Sequence, residues 1–249
     1  MEIIIMGKKL RIDKYLSDMT IGSRREVKNW IRKGRVYINS RPCWNPDEKV
    51  DINEDEVTID GDKILYEEFI YLMLNKPQGV VSATRDNRDR TVLDLIKDTR
   101  TKDLFPVGRL DKDTEGLLLI TNHGELAHRL LSPKKLIDKV YYAKIKGKVT
   151  KADEEAFLGG ISIGDDKPCL PAKLDIIVSD TLSEVKLTIC EGKFHQVKRM
   201  FEAVDKEVIY LKRLSMGSLT LDPSLMPGEY RRLNEDELKQ LKCLTNIFN

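Results

Sequence analysis

The chain has 249 residues, enough for a sizeable core and for one large or two modest domains. Lys and Arg number 43 against 41 Asp and Glu, so the net charge of +2 excludes nothing until it is split by region. The four cysteines, Cys43, Cys169, Cys190 and Cys243, show no CxxC spacing, which points to a reduced, cytoplasmic protein without disulfides or zinc.

Met1-Glu2-Ile3-Ile4-Ile5-Met6 is too short and too acidic for a signal peptide, and no apolar run approaches the ~20 residues of a membrane span. From Lys8 to Arg41 the charge is concentrated: eleven basic residues face only Asp13, Asp18 and Glu26, a net of +8. From Asp47 to Glu68 ten acids face Lys49 and Lys63. A basic block of this kind is the electrostatic footprint of a polyanion binder. Its pattern predicts a short helix from Ile12 to Met19 and a second helix opened by Ser23. Glu26, three residues on, completes a capping box. Val27, Trp30 and Ile31 form the apolar stripe of that helix, Gly34 closes it, and Arg24, Lys28 and Arg32 make a basic ridge beside it. Short strands are expected at 35–39 and 56–59, and the acidic stretch 47–68 as the end of the module and a link. A charge run is usually a solvated face, but this ridge lacks the interleaved acids of a merely soluble helix. The stretch RIDKYLSDMTIGSRREVKNWIRKGRVYIN resembles the S4 RNA-binding domain. That resemblance implies a helix pair gripping the RNA backbone, with Arg11, Lys14, Arg24, Arg25, Lys28, Arg32 and Lys33 as candidate contacts.

The second part, 67–245, reads in order as follows. Residues 69–74 are a strand, 75–79 a Pro/Gly turn, 80–83 a second short strand, and 91–94 the capped start of a short helix. Residues 104–107 lead into a loop, Val107-Gly108-Arg109-Leu110-Asp111-Lys112-Asp113-Thr114-Glu115-Gly116. The apolar run after it reads as a buried strand, so Asp111 sits at the mouth of a core strand. Such loops on rigid scaffolds tend to carry chemistry, which makes Asp111 a candidate catalytic carboxylate. Helices are expected at 124–131, 150–158, from about Phe194, and after Asn234; strands at 140–146, 170–178, 184–190, 208–213 and 218–221. In the first of these strands Tyr141, Ala143 and Ile145 share one face. Strands and helices mix without strict alternation, so the fold class is α+β. It comprises a small S4-like domain over 8–66 and a larger domain over 67–245, with a mixed, mainly antiparallel sheet flanked by helices.

His123, His128 and His195 with the scattered cysteines give no zinc pattern. The Asp111–Gly116 run resembles the start of an EF-hand loop, but position twelve is Asn122, where a bidentate Glu is required, and no metal site is assigned. Phosphate-loop, dinucleotide and nucleophile-elbow motifs are missing. What remains is Asp111, Tyr141 and a basic helix start with Lys193, Lys198 and Arg199, where an anion is favoured. Each has a plainer alternative: Asp111 capping a turn, Tyr141 filling the core, Lys198 in solvent.

VGRLDKDTEGLLLITNHGELAHRLLSP is similar to the signature of the bacterial pseudouridine synthases of the RsuA type. MLNKPQGVVSAT, EGKFHQVKRMFEAV and LSMGSLTLDPSLMPGEYRRL resemble three further motifs of that family. The resemblance spans nearly the whole chain. It implies isomerisation of a uridine in ribosomal RNA, without a cofactor, by a monomer acting on rRNA or a pre-ribosomal particle. LNKPQG and GEYR resemble the small-subunit enzymes most; a large-subunit enzyme of the same family and a non-catalytic S4-type RNA-binding ribosome assembly factor are the alternatives. By resemblance Asp111 is the essential carboxylate, Tyr141 stacks on the target uracil, Lys198 pairs with the Asp, and Arg109 contacts RNA and displaces the base.

Overall fold

The computed structural model describes residues 8–97 and 103–247, which divide into two compact units, 8–69 and 70–97 with 103–247. In the first unit β1 (Lys9–Arg11) runs into α1 (Ile12–Asp18), and α2 spans Arg24–Arg32. The Ser23 hydroxyl accepts from the Glu26 amide, and the Glu26 carboxylate accepts from the Ser23 amide, so the expected capping box forms. β2 (Val36–Ile38), β3 (Arg41–Pro42), β4 (Lys49–Asp51), β5 (Val57–Ile59) and β6 (Asp62–Ile64) follow. The sheet order is β3-β2-β5-β6, and β1 pairs with β4. Ile12, Leu16, Val27, Ile31, Val36, Val50 and Val57 form its core. The acidic stretch 47–68 is therefore part of this fold and not only a link. Val50 of β4 and Val57 and Ile59 of β5 are buried in its core, and in β5 the period of two leaves Thr58 on the other face.

The second unit carries β7 (Tyr71–Lys76), β8 (Phe105–Pro106), β9 (Glu115–Thr121), α3 (Gly124–Leu131), β10 (Lys139–Lys146), α4 (Lys151–Gly159) and β11 (Lys173–Val178). Then come β12 (Leu182–Ile189), α5 (Gln196–Glu202), β13 (Glu207–Met216), β14 (Leu219–Thr220), β15 (Tyr230–Arg232) and α6 (Glu235–Thr245). Its sheet runs β11-β12-β10-β13-β9-β7-β15, with β14 on β13 and β8 on β9. Among the described pairs β13 and β9 are parallel; the other named strands pair antiparallel. The sheet is thus mixed and mainly antiparallel, and the α+β class holds. The core joins Leu72, Leu74, Leu118 and Ile120 to Ala143, Ile145, Val185 and Leu187. Phe157 of α4 meets Phe201 of α5 edge-on, 5.0 Å between centroids, on the same core.

Three local expectations change. Residues 80–83 are no strand; only a bridge between Val81 and Thr91 forms, because the Ser82 hydroxyl turns to bond the backbone of Leu110. β11 starts at Lys173, just after Pro171, which has no N–H to give to a ladder. α5 starts at Gln196 and not near Phe194, because His195 takes a left-handed backbone (φ 47°) that helical geometry does not allow.

Candidate active site

The loop before β9 is fixed from several sides. Gly108 turns the chain at φ 78°, a conformation that suits glycine. The Ser82 hydroxyl donates to the Leu110 carbonyl (2.9 Å) and accepts from the Leu110 amide (3.0 Å). The Gly79 amide donates to the Lys112 carbonyl at 2.8 Å, and the Thr114 amide closes a turn on the Asp111 carbonyl at 3.1 Å. Beneath the loop lies Lys76, fully buried, whose ammonium donates to the carbonyls of Thr114 (2.8 Å), Pro77 (2.9 Å) and Lys112 (3.3 Å). Burial pulls the Lys76 pKa down to about 8, against the opposing pull of Asp113, Asp111 and Glu115. The backbone around Asp111 is therefore held before any substrate arrives.

The Asp111 carboxylate is 28% exposed and faces α5. Lys198 Nζ lies 3.5 Å from one of its oxygens and His195 Nε2 lies 3.6 Å from the other. Lys198 is shared. Its shorter contacts are to Asp113, at 2.7 and 2.8 Å from the two carboxylate oxygens. Burial works to raise the Asp113 carboxyl, but the hydrogen bond and charge of Lys198 outweigh it and leave it below the usual range. Tyr141 enters from β10, 7% exposed, on the strand face shared with Ala143 and Ile145. Arg109, Asp111, Tyr141, Lys193, His195 and Lys198 line one open pocket of about 80 Å³. Three segments far apart in sequence thus converge where a carboxylate, a buried aromatic ring and cations meet. Such a set can stack a planar ring and hold an ionised oxygen beside it.

The other basic candidates are placed differently. Lys193 lines the pocket, but its ammonium donates to the carbonyls of Lys167 (2.7 Å) and Pro168 (3.1 Å). Arg199 donates to the Phe194 and Ile163 carbonyls and pairs with Asp165. Both tie the 163–168 loop to the start of α5. In the first unit Arg11 pairs with Asp13 and Asp47, Lys14 with Asp18, and Lys28 approaches Asp13 at 3.7 Å. Arg24, Arg25, Arg32 and Lys33 are exposed, and none makes an ion pair among the described residues. No group of three or more His, Cys, Asp or Glu suited to a metal occurs among the described residues, and no described helix is long and apolar enough to cross a membrane.

Sequence reasoning passed over several residues at this site. Asp113 is the nearer partner of Lys198. Gln196 accepts from the Lys193 amide and donates to Glu191, both at 2.9 Å, and so shapes the turn that presents His195. Lys76 and Ser82 hold the loop from below. Lys76 had a signal: it is a lone ammonium at the end of a strand that opens Tyr71-Leu72-Met73-Leu74, and a buried charge must find partners.

The pattern of the family described as RNA pseudouridylate synthase matches residues 70–203, and that of the S4 domain matches residues 10–57. The chain is 50% identical to a Bacillus subtilis protein named uncharacterized RNA pseudouridine synthase YtzG, over 93% of this chain and 98% of that one. It is 38% identical to ribosomal large subunit pseudouridine synthase B of Bacillus subtilis, over 95% and 97% of the two chains. To ribosomal small subunit pseudouridine synthase A of Vibrio cholerae it is also 38% identical, over 93% and 99%. A crystal structure titled pseudouridylate synthase superposes with a TM-score of 0.66 at 36% identity, covering 93% of this chain and 99% of the other. Matching motifs, fold and full-length relatives agree: the chain belongs to the RsuA-type RNA pseudouridine synthases, with an S4 domain preceding the synthase domain.

Proposed function

We propose that this enzyme isomerises one uridine of ribosomal RNA, in the small subunit, with Asp111 as the essential carboxylate. The observation that carries the reading is the convergence of Asp111, Tyr141 and Lys198 on one pocket. The N1–C1′ bond breaks, the uracil turns, C5 bonds to C1′, and the C5 hydrogen leaves as a proton while N1 is protonated. Asp111 acts at the sugar, as nucleophile on C1′ or as base for a sugar proton. Lys198, 3.5 Å from its carboxylate, supplies a counter-charge at the site. Extruding the target base costs a few kcal/mol of stacking, which the Tyr141 ring returns. Arg109, exposed at the rim, contacts the RNA as the base is displaced. The substrate is free rRNA or a pre-ribosomal particle, the enzyme acts as a monomer in the cytoplasm, and it needs no cofactor.

Equal identity to a large-subunit and a small-subunit synthase keeps the large-subunit RNA as the second reading. One experiment separates them. Small- and large-subunit rRNA transcripts carrying tritium at uracil C5 are incubated with the enzyme, and tritium released to water is counted. Release from the small-subunit transcript is expected, together with its loss in Asp111→Asn. Release from the large-subunit transcript alone selects the second reading, and full release by Asp111→Asn removes Asp111 from the chemistry.

A further inference from the structure

We propose that the outer face of Phe194 is a stacking platform for the RNA base next to the target uridine, and so helps to select the site that is modified. The proposal rests on the Asp111 pocket being the synthase site. Phe194 is 68% exposed, beside a pocket whose own aromatic ring, Tyr141, is buried. Its ring lies over the His195 imidazole, centroids 3.8 Å apart and planes 19° from parallel. One face of Phe194 is therefore covered by the residue that approaches Asp111, and the other is left open.

The platform is held in place by its backbone. His195 keeps a left-handed φ of 47°, which costs a non-glycine residue free energy and persists only where surroundings enforce it. Gln196 enforces it by accepting from the Lys193 amide, and the Arg199 guanidinium holds the Phe194 carbonyl at 3.1 Å. The neighbouring pocket, which His195 lines, is also lined by Arg109, Lys193 and Lys198, cations that suit a polyanion better than an apolar protein surface. Flipping a uridine out of its stack also leaves its neighbour without a partner. Tyr141 provides a stack for the uracil inside the pocket. Phe194 provides one for the neighbour outside it, and every base has a π-face to offer.

The test uses the full-length enzyme and an rRNA fragment around the modified uridine, intact or with an abasic residue at the 5′ or the 3′ neighbour. Phe194→Ala is expected to raise KM roughly tenfold, and by more than it lowers kcat, with Phe194→Trp restoring KM. The Phe194→Ala penalty should vanish on one of the two abasic fragments, because the base that stacks is gone. Ultraviolet cross-linking of the small- and large-subunit transcripts, mapped by mass spectrometry, should place an adduct on Phe194. An unchanged KM in Phe194→Ala, or a penalty that survives on both abasic fragments, overturns the platform. Should neither transcript release tritium, cross-linking decides alone. An adduct at Phe194 then keeps the platform while the proposed rRNA reaction falls, and no adduct removes the platform as well.

Discussion

Lys76 shows how a single buried charge supports the loop that presents Asp111. Its ammonium satisfies three carbonyls of the Asp111 loop and its flank, and it holds its proton only to about pH 8, against an ordinary 10.5. Between those values the unfolded chain binds the proton more often than the folded one, so this group makes stability rise with pH through the window. Below pH 8 the cost of burying the charge is present in full. Urea unfolding of wild type and Lys76→Met from about pH 7.5 to 10.5 should show wild type gaining on the variant, by at most about 3 kcal/mol. Parallel curves would mean that Lys76 titrates as it does in the unfolded chain. Asp113 poses a different question, because it holds Lys198 more closely than Asp111 does. An exposed ion pair contributes little to stability, and the Asp113 side chain is 68% exposed. Asp113→Asn should therefore melt within a few degrees of wild type, yet release tritium roughly tenfold more slowly, since misplacing a catalytic group by an ångström is costly. A wild-type rate would show that Lys198 is positioned without it.

Between elements, the join of β9 to β13 is the tightest point near the site. Gly116 sits at φ 102°, and a Cβ there would lie 2.2 Å from the Arg213 carbonyl oxygen and 2.8 Å from its amide nitrogen. Backbone cannot step aside as a flexible side chain can. Gly116→Ala should cost at least about 2 kcal/mol in urea unfolding, and a loss under about 0.5 kcal/mol would show that the parallel pair relaxes. Elements with a strong local signal were legible in the sequence. The capping boxes at Ser23 and Asn234 and the alternation of β10 each depend on residues within a few positions. The failures depend on distant partners. Ser82 leaves its strand for Leu110, 28 residues away, and the start of α5 is set by the backbone of His195, which no periodicity reports. The site followed the same rule. Asp111 stood out by its place at a strand mouth and Tyr141 and Lys198 by resemblance, but the sharing of Lys198 with Asp113 spans 85 residues and needed the fold.

Across the whole molecule the charges explain themselves only after folding. The net of +2 hides a basic block and an acidic stretch, and the first unit folds the second upon the first. Asp47, Glu48 and Asp60 of the acidic stretch pair with Arg11, Arg41 and Arg35. Among the described residues of this unit, Lys9, Lys49, Arg24, Arg25, Arg32 and Lys33 are left without an ion pair, and the last four cluster on α2 and its C-terminal end. The acids thus concentrate the free positive charge on one element instead of cancelling it. RNA binding driven by phosphate contacts releases counterions, and each contact adds about 0.7 to 0.9 to the slope of log affinity against log salt. Replacing Arg24, Arg25, Arg32 and Lys33 together with Ala should therefore lower that slope by about 3 for rRNA binding. Arg35→Ala, whose head is already held by Asp60, should change it by less than about 0.5. Filter binding from roughly 50 to 300 mM salt measures both, and the tritium assay at saturating RNA should find turnover preserved in the fourfold variant. If Arg35→Ala flattens the slope as much as the fourfold variant does, the ion pairs do not govern which cations meet RNA. The basic surface then has to be drawn without regard to them.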